Sequence, residues 1–266
     1  MYCCYNGEMA TWIGHLRIAE NLLKRMPELD EAAFTFGSIA PDSGVPNADW
    51  TRFDPPKEVS HFLSAAGEGE IEVEDLRFYQ AYLRGRSFDN NRFLHSFMLG
   101  YYIHLVCDRL AMFKVGLESM RIYPELFSAH PETEAWDFIK QDWYGLDQLY
   151  VRDHPDSLFW RVFLRTPIPI SPLPFVPQAS FEHQVNYIRR FYSEPSRDWI
   201  FDRPFPYLNQ ASMNLFVDQS TRLVMKVLDI LASHPSLGGN KSALELLPPE
   251  DLTPLPSPLG DIIPSA

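Results

Sequence analysis

The chain has 266 residues, enough for one large domain or two small ones, and its 45% hydrophobic and 14% aromatic content can fill a sizeable core. The formal net charge of −12 argues against a nucleic-acid backbone as the main partner, because phosphate binding wants clustered Lys and Arg. Cys3 and Cys4 are adjacent and Cys107 sits in an apolar stretch, so the cysteines imply no disulfide framework and suit a reducing cytoplasm.

In chain order, "MYCCYNGE" has no periodicity and none of the features of a signal peptide. Residues 1–8 are read as an unstructured extension, with Met1 or Met9 as the start. No apolar run is long enough to span a bilayer, and the expected location is cytoplasmic. "ATWIGHLRIAENLLKRM" places Leu16, Ala19, Leu22, Leu23 and Met26 at helical spacing and ends at Pro27. Gly37 to about Pro56 reads as a loop rich in turn residues. "VEDLRFYQAYLRG" forms a helix with Leu76, Tyr79 and Leu83 on one face, stopping at Gly85. A long helix runs from about Asn91 to Met120, and Pro131 opens the helix "PETEAWDFIKQDWYGLDQLYV". "PDSLFWRVFL" is helical, "TPIPISPLPFVP" is a rigid extended loop, and "ASFEHQVNYIRRFY" and "QASMNLFVDQSTRLVMKVLDILAS" are the last two helices. Beyond Ser233 the chain turns Pro-rich, and 234–266 is read as a disordered or loosely docked tail. With no convincing strand and no internal repeat, the expectation is an all-α, single multi-helix domain over 9–233.

Several polar residues interrupt this apolar pattern. "FMLGYYIHLVCDRLA" carries His104 and Asp108 four residues apart, hence on one helix face. A buried Asp is costly unless it is paired or binds a metal, so the pair is either a structural hydrogen bond or half of a metal site. His15 lies on or beside the apolar stripe of the first helix, where a core histidine bonded to a carbonyl is the plainer reading. Asp42 closes "FGSIAPDSG" behind Pro41, and a turn or N-cap role would suffice for it. His61 begins "HFLSAA", where a cap or surface role would do. Taken together, three His and two Asp next to apolar segments are the ligand types that zinc takes in catalytic sites.

"GHLRIAENLL", "FGSIAPDSG", "SHF" and "LGYYIHLVCDR", in that order, resemble the zinc-dependent phospholipase C family, whose all-helical fold is shared with fungal single-strand-specific nucleases. The resemblance covers roughly Ala10 to Met120 and is weaker beyond. It implies that Asp42, His61, His104 and Asp108 surround one zinc ion. It also implies that His15 joins Asp108 on a second, so that Asp108 bridges, and that Asp42 stands where the family places its general base. In secreted members the mature N-terminal amine is a further ligand; here residues precede the first helix with no signal peptide to remove, and that ligand is expected to be absent. Those members complete a third metal with a later His-x-x-x-Glu pair. No such pair is assigned past Asp108, and Asp142 and Asp147 are the nearest substitutes, set against a solvated-helix role. One or two ions are expected rather than three.

The function this implies is a metal-dependent, phospholipase C-like hydrolase of phosphate esters or diesters, acting on a small phosphoester or phospholipid-derived substrate. Trp50 and Phe53 are candidate pocket walls, and Arg109, with Arg52, a candidate phosphate-holding cation; both arginines have a plain surface role as the alternative. The rival reading is a non-catalytic, metal-holding helical protein of the same fold. The remaining histidines earn no site. His95 faces away from His104, His130, His154 and His234 precede prolines, and His183 sits beside Glu182 on a helix surface.

Overall fold

The structure, a computed structural model, describes residues 10–49, 51–67, 70–88, 90–194, 203–233 and 239–255. The expected extension 1–8 and the choice of start residue lie outside these. Helix α1 (Trp12–Leu23) begins where the Thr11 side chain accepts from the Gly14 N–H, and α2 (Glu31–Gly37) where Asp30 accepts from the Ala33 N–H. Helix α2 is not among the elements expected from the sequence. Two short antiparallel pairs follow: β1 (Val45–Pro46) with β2 (Phe53–Asp54), and, after α3 (Lys57–Ser60), β3 (Leu63–Gly67) with β4 (Glu70–Val73). They correct the expectation of a strand-free chain. The period-two alternation of "EIEV" was their sequence signal.

Helix α4 (Asp75–Tyr82) leads to α5 (Arg92–Ala111), the centre of the fold. Every residue from Ser96 to Asp108 is buried, as a helix apolar on all sides requires. A π-helical turn over Met112–Gly116 carries α5 into α6 (Leu117–Ile122), so the expected long helix exists as consecutive pieces. Helices α7 (Pro124–Ala129), α8 (Glu132–Asp153), α9 (Gln178–Ser193) and α10 (Gln210–Ser233) complete the bundle. Helices α1, α2, α4 and α10 all pack on α5.

The closest packing in the core is between α2 and α5. A Cβ at Gly37 would stand 2.2 Å from the Phe97 carbonyl oxygen, and one at Gly100 would stand 2.5 Å from the Phe34 carbonyl oxygen. Only glycine allows these two backbones to touch. The contact brings the chain just after α2 against the face of α5 that bears His104.

The tail departs from its expected looseness over 239–255. Asp75 accepts from the Ser242 hydroxyl and from the Ala243 N–H at 2.9 Å, and Leu76 N donates to the Lys241 carbonyl at 3.1 Å. Further on, Lys114 Nζ donates to the Thr253 carbonyl at 2.7 Å and Leu255 N to the Lys114 carbonyl at 2.9 Å. Ala243, Leu244, Leu247 and Leu255 are buried. The prolines suppress regular helix, but the leucines between them supply enough apolar surface to dock.

Candidate metal centre

Four separate pieces of chain deliver the five polar residues singled out above. His15 is in the first turn of α1, Asp42 ends a 3-10 turn over Ala40–Asp42 fixed by Pro41, and His61 caps the C-terminus of α3. His104 and Asp108 share one face of α5. None of the five is more than 5% exposed.

They converge. His61 Nε2 lies 3.1 Å from Asp42 Oδ1 and 3.7 Å from Asp108 Oδ2, while His104 Nε2 lies 3.8 Å from the same Asp42 oxygen and 3.3 Å from the same Asp108 oxygen. Four ligand atoms held tetrahedrally at zinc–nitrogen and zinc–oxygen distances are separated by about 3.3 Å, and these edges bracket that value. The other oxygen, Asp108 Oδ1, lies 3.3 Å from His15 Nε2. His15 stacks on His104 with ring centroids 3.8 Å apart and planes inclined by 10°.

Proximity here is not hydrogen bonding throughout. His15 Nε2, His104 Nε2, Asp42 Oδ2 and Asp108 Oδ1 are buried and make no aligned hydrogen bond. Groups of this kind are normally satisfied when buried. Nitrogens and oxygens that stand close but do not point at one another fit a cation between them. Two overlapping trios, His15 with Asp42 and His104, and His61 with His104 and Asp108, each bring their ligand atoms within 4.8 Å of one another. Imidazole plus carboxylate is a zinc donor set, so the residues fit the ion.

The electrostatics favour a cation as well. Burial pushes Asp108 up, but His104 and His15 hold it well below the usual carboxylate range. Asp42 is likewise pushed up by burial, yet His104 and His61 keep it lowered. Burial lowers His104, and Asp108 and Asp42 override it to hold the ring at about 9. His15 goes the other way: burial, then the neighbouring His104, lower it against the pull of Asp108. The centre is two carboxylates around a positive charge.

The backing of the imidazoles was not foreseen. His104 Nδ1 lies 2.8 Å from the Ser38 carbonyl, one residue past Gly37. A carbonyl only accepts, so Nδ1 carries a proton and Nε2 faces the carboxylates. His61 Nδ1 lies 3.0 Å from Ser60 Oγ. The isolated Gly100 inside an apolar helix was the one legible hint of close packing there.

The other candidates are placed elsewhere. Trp50 lies outside the described residues. Phe53 is half-buried on β2, packed over Gly44 and under Lys57 Nζ at 4.4 Å. Arg109 Nη2 is turned to Glu72 at 3.1 Å, and Arg52 is exposed. Asp142 and Asp147 are buried, not solvated. Asp142 clasps Arg203 Nη1 at 2.6 Å and the Tyr207 N–H at 2.7 Å. Asp147 accepts from the Tyr192 hydroxyl at 2.8 Å, and burial raises its carboxyl to about 7. One His-x-x-x-Glu pair does follow Asp108: His130 and Glu134, 3.4 Å apart, are a solvent-accessible ion pair rather than part of the buried cluster. His95 packs against Phe88 with the rings tilted by 41°, and His154 and His183 are exposed.

Residues 14–111, the span that holds all five converging side chains, match the family model described as zinc dependent phospholipase C. No curated protein and no solved structure matches the chain. Among the described residues, no helix is long and apolar enough to cross a membrane.

Proposed function

We propose that this chain, whose residues 14–111 match the family model described as zinc dependent phospholipase C, is a zinc-dependent hydrolase of phosphate esters or diesters. The observation that carries the reading is the convergence of three imidazoles and two carboxylates with buried, unaligned ligand atoms. Asp42, His61, His104 and Asp108 would hold one ion, and His15 with Asp108 would serve a neighbouring one. When bound, zinc supplies an electrophile that polarises a phosphoryl oxygen and lowers the pKa of water to near neutrality.

The chain's own residues do the rest. Asp42 commits Oδ1 to His61 and leaves Oδ2 without a partner, so that oxygen is the one able to orient water and take its proton. His104 is kept in one tautomer by the Ser38 carbonyl, which holds its Nε2 toward the cluster. Phe53 offers an aromatic wall on the hairpin between Asp42 and His61. The substrate class is a small phosphoester or a phospholipid-derived one, and the expected setting is the cytoplasm.

The burial of all five side chains favours the rival, a metal-holding protein without turnover, since structural sites are closed and catalytic sites keep an open position. Metal analysis of the purified protein, followed by a panel of phosphomonoester, phosphodiester and phospholipid substrates, separates the two. Bound zinc with turnover supports the hydrolase; bound zinc with none across the panel supports the rival.

A further inference from the structure

The two imidazoles of the four-ligand set are held by different devices. His104 is backed by a carbonyl, which no side-chain substitution removes. His61 is backed by the Ser60 hydroxyl at 3.0 Å, and Ser60 is itself 1% exposed. The Ser60 carbonyl in turn accepts from the Tyr101 hydroxyl. Tyr101 is fully buried on α5, one turn before His104, and its ring is stacked on Phe78 at 4.6 Å. A continuous strut therefore runs from the helix that carries His104 and Asp108, through Tyr101 and Ser60, to the His61 ring.

We infer that Ser60 is the positioning residue of His61: its Oγ accepts the Nδ1 proton and turns Nε2 toward Asp42 and Asp108, while Tyr101 anchors the Ser60 backbone through its carbonyl. This rests on the reading of the cluster as a metal site. A hydroxyl can accept as well as donate, and beside a ring whose Nε2 faces two carboxylates it takes the acceptor role toward Nδ1. Ionic or apolar packing alone would not fix the tautomer. His61 is the C-cap of a four-residue helix, its N–H donating to the Lys57 carbonyl at 2.7 Å, with Phe62 beside it at φ 54°. Loss of the hydroxyl leaves a buried N–H without an acceptor and a ring free to turn. Partners behind a ligating histidine typically contribute 10–100-fold to metal affinity.

The test is zinc affinity by competition with a chromogenic chelator, and the visible spectrum of the cobalt-substituted protein, for wild type, Ser60→Ala, Ser60→Thr and Tyr101→Phe. Ser60→Ala is expected to bind zinc about 10–100-fold more weakly and to shift the cobalt bands. Ser60→Thr, which keeps the hydroxyl, should stay within a few-fold of wild type. Tyr101→Phe should weaken zinc in the same direction by less. Wild-type affinity and spectrum in both Ser60→Ala and Tyr101→Phe overturn the inference, and so does an equal loss in the Ala and Thr variants. If Ser60→Ala does not fold, Tyr101→Phe decides alone. A wild type that binds no zinc refutes the metal site itself, which is a different result from zinc bound equally by all four proteins.

Discussion

Gly37 and Gly100 meet backbone to backbone, and their contact sets the distance between the Ser38 carbonyl and His104. A methyl at Gly100 would lie 2.5 Å from the Phe34 carbonyl oxygen and 2.9 Å from Ser38 N, neither of which is a flexible side-chain end. Gly100→Ala must therefore push α2 off α5. Overpacking of this kind costs about 1–3 kcal/mol or more. It also lengthens the His104 Nδ1 bond, so zinc affinity should fall with stability. Thermal melts and a chelator competition read the two effects. A variant with wild-type melting point and wild-type affinity would show that the helices are free to separate without moving the site.

Zinc uptake should expel a proton. Asp108 and Asp42 hold His104 at about 9, so its ring is charged at neutral pH, whereas a ligand imidazole must be neutral. His15, lowered by burial and by His104, has no proton to give. Affinity is then expected to rise about tenfold per pH unit between pH 7 and about 9 and to level off above. Calorimetry in two buffers of different ionisation enthalpy counts the protons. Equal heats in both buffers would contradict the charged His104.

The legible part of the site was the part encoded by spacing. His104 and Asp108 stand four apart on one helix, and that alone placed them on one face. His15, Asp42 and His61 came from three distant segments, and only their order alongside other motifs tied them to the pair. The oxygen each uses, and the stacking of His15 on His104, depend on how helices cross, which periodicity does not encode. Ser38 acts through a backbone carbonyl, so no side-chain pattern marks it. The β1/β2 pair has two residues to a strand, too short for any alternation to register, whereas β4 carries the alternation of "EIEV". The tail was misjudged because prolines were weighed above the leucines between them.

Truncation after Ser233 should destabilise the protein, reversing the expectation from composition. It removes four buried aliphatic side chains and leaves Asp75, which is 0% exposed, without the Ser242 and Ala243 donors. A buried leucine contributes roughly 1.5–3 kcal/mol, and ordering the strap offsets part of it. For a domain of this size the melting point should drop on the order of 10 °C. An unchanged melting point would mean that the strap contributes nothing to the fold.

Asp147 should make stability depend on pH. Burial raises its carboxyl from 3.8 to about 7. Between those values the folded chain holds a proton that the unfolded chain has released. Stability from this group is thus complete below pH 4 and is lost as pH rises through about 7. Asp147→Asn removes the titration while keeping an acceptor for Tyr192. The variant is expected to match wild type near pH 4 and to gain on it progressively, by on the order of a few kcal/mol at pH 8. Urea melts at both values read the difference, and an equal offset at both would assign the effect to packing.

Asp42 is the residue at which holding metal and catalysing turnover can be separated. Its Oδ1 belongs to the ligand set and to the bond with His61, while Oδ2 is buried and unpartnered. Asp42→Asn keeps an oxygen for His61 and for weak coordination but loses the charge that would take a proton. The zinc-loaded variant should therefore retain most of its metal and lose about 10²–10⁴-fold in the hydrolysis of an activated aryl phosphodiester, the usual size of a general-base contribution. His104→Ala removes a ring that Ser38 holds toward both carboxylates, and should lose metal and rate together. His95→Ala removes a ring that packs tilted against Phe88, away from the cluster, and should lose neither. If Asp42→Asn loses metal in proportion to rate, Asp42 is a ligand only and the base lies elsewhere. If metal-replete wild type shows no turnover above the Asp42→Asn background, the hydrolase reading gives way to the metal-holding one.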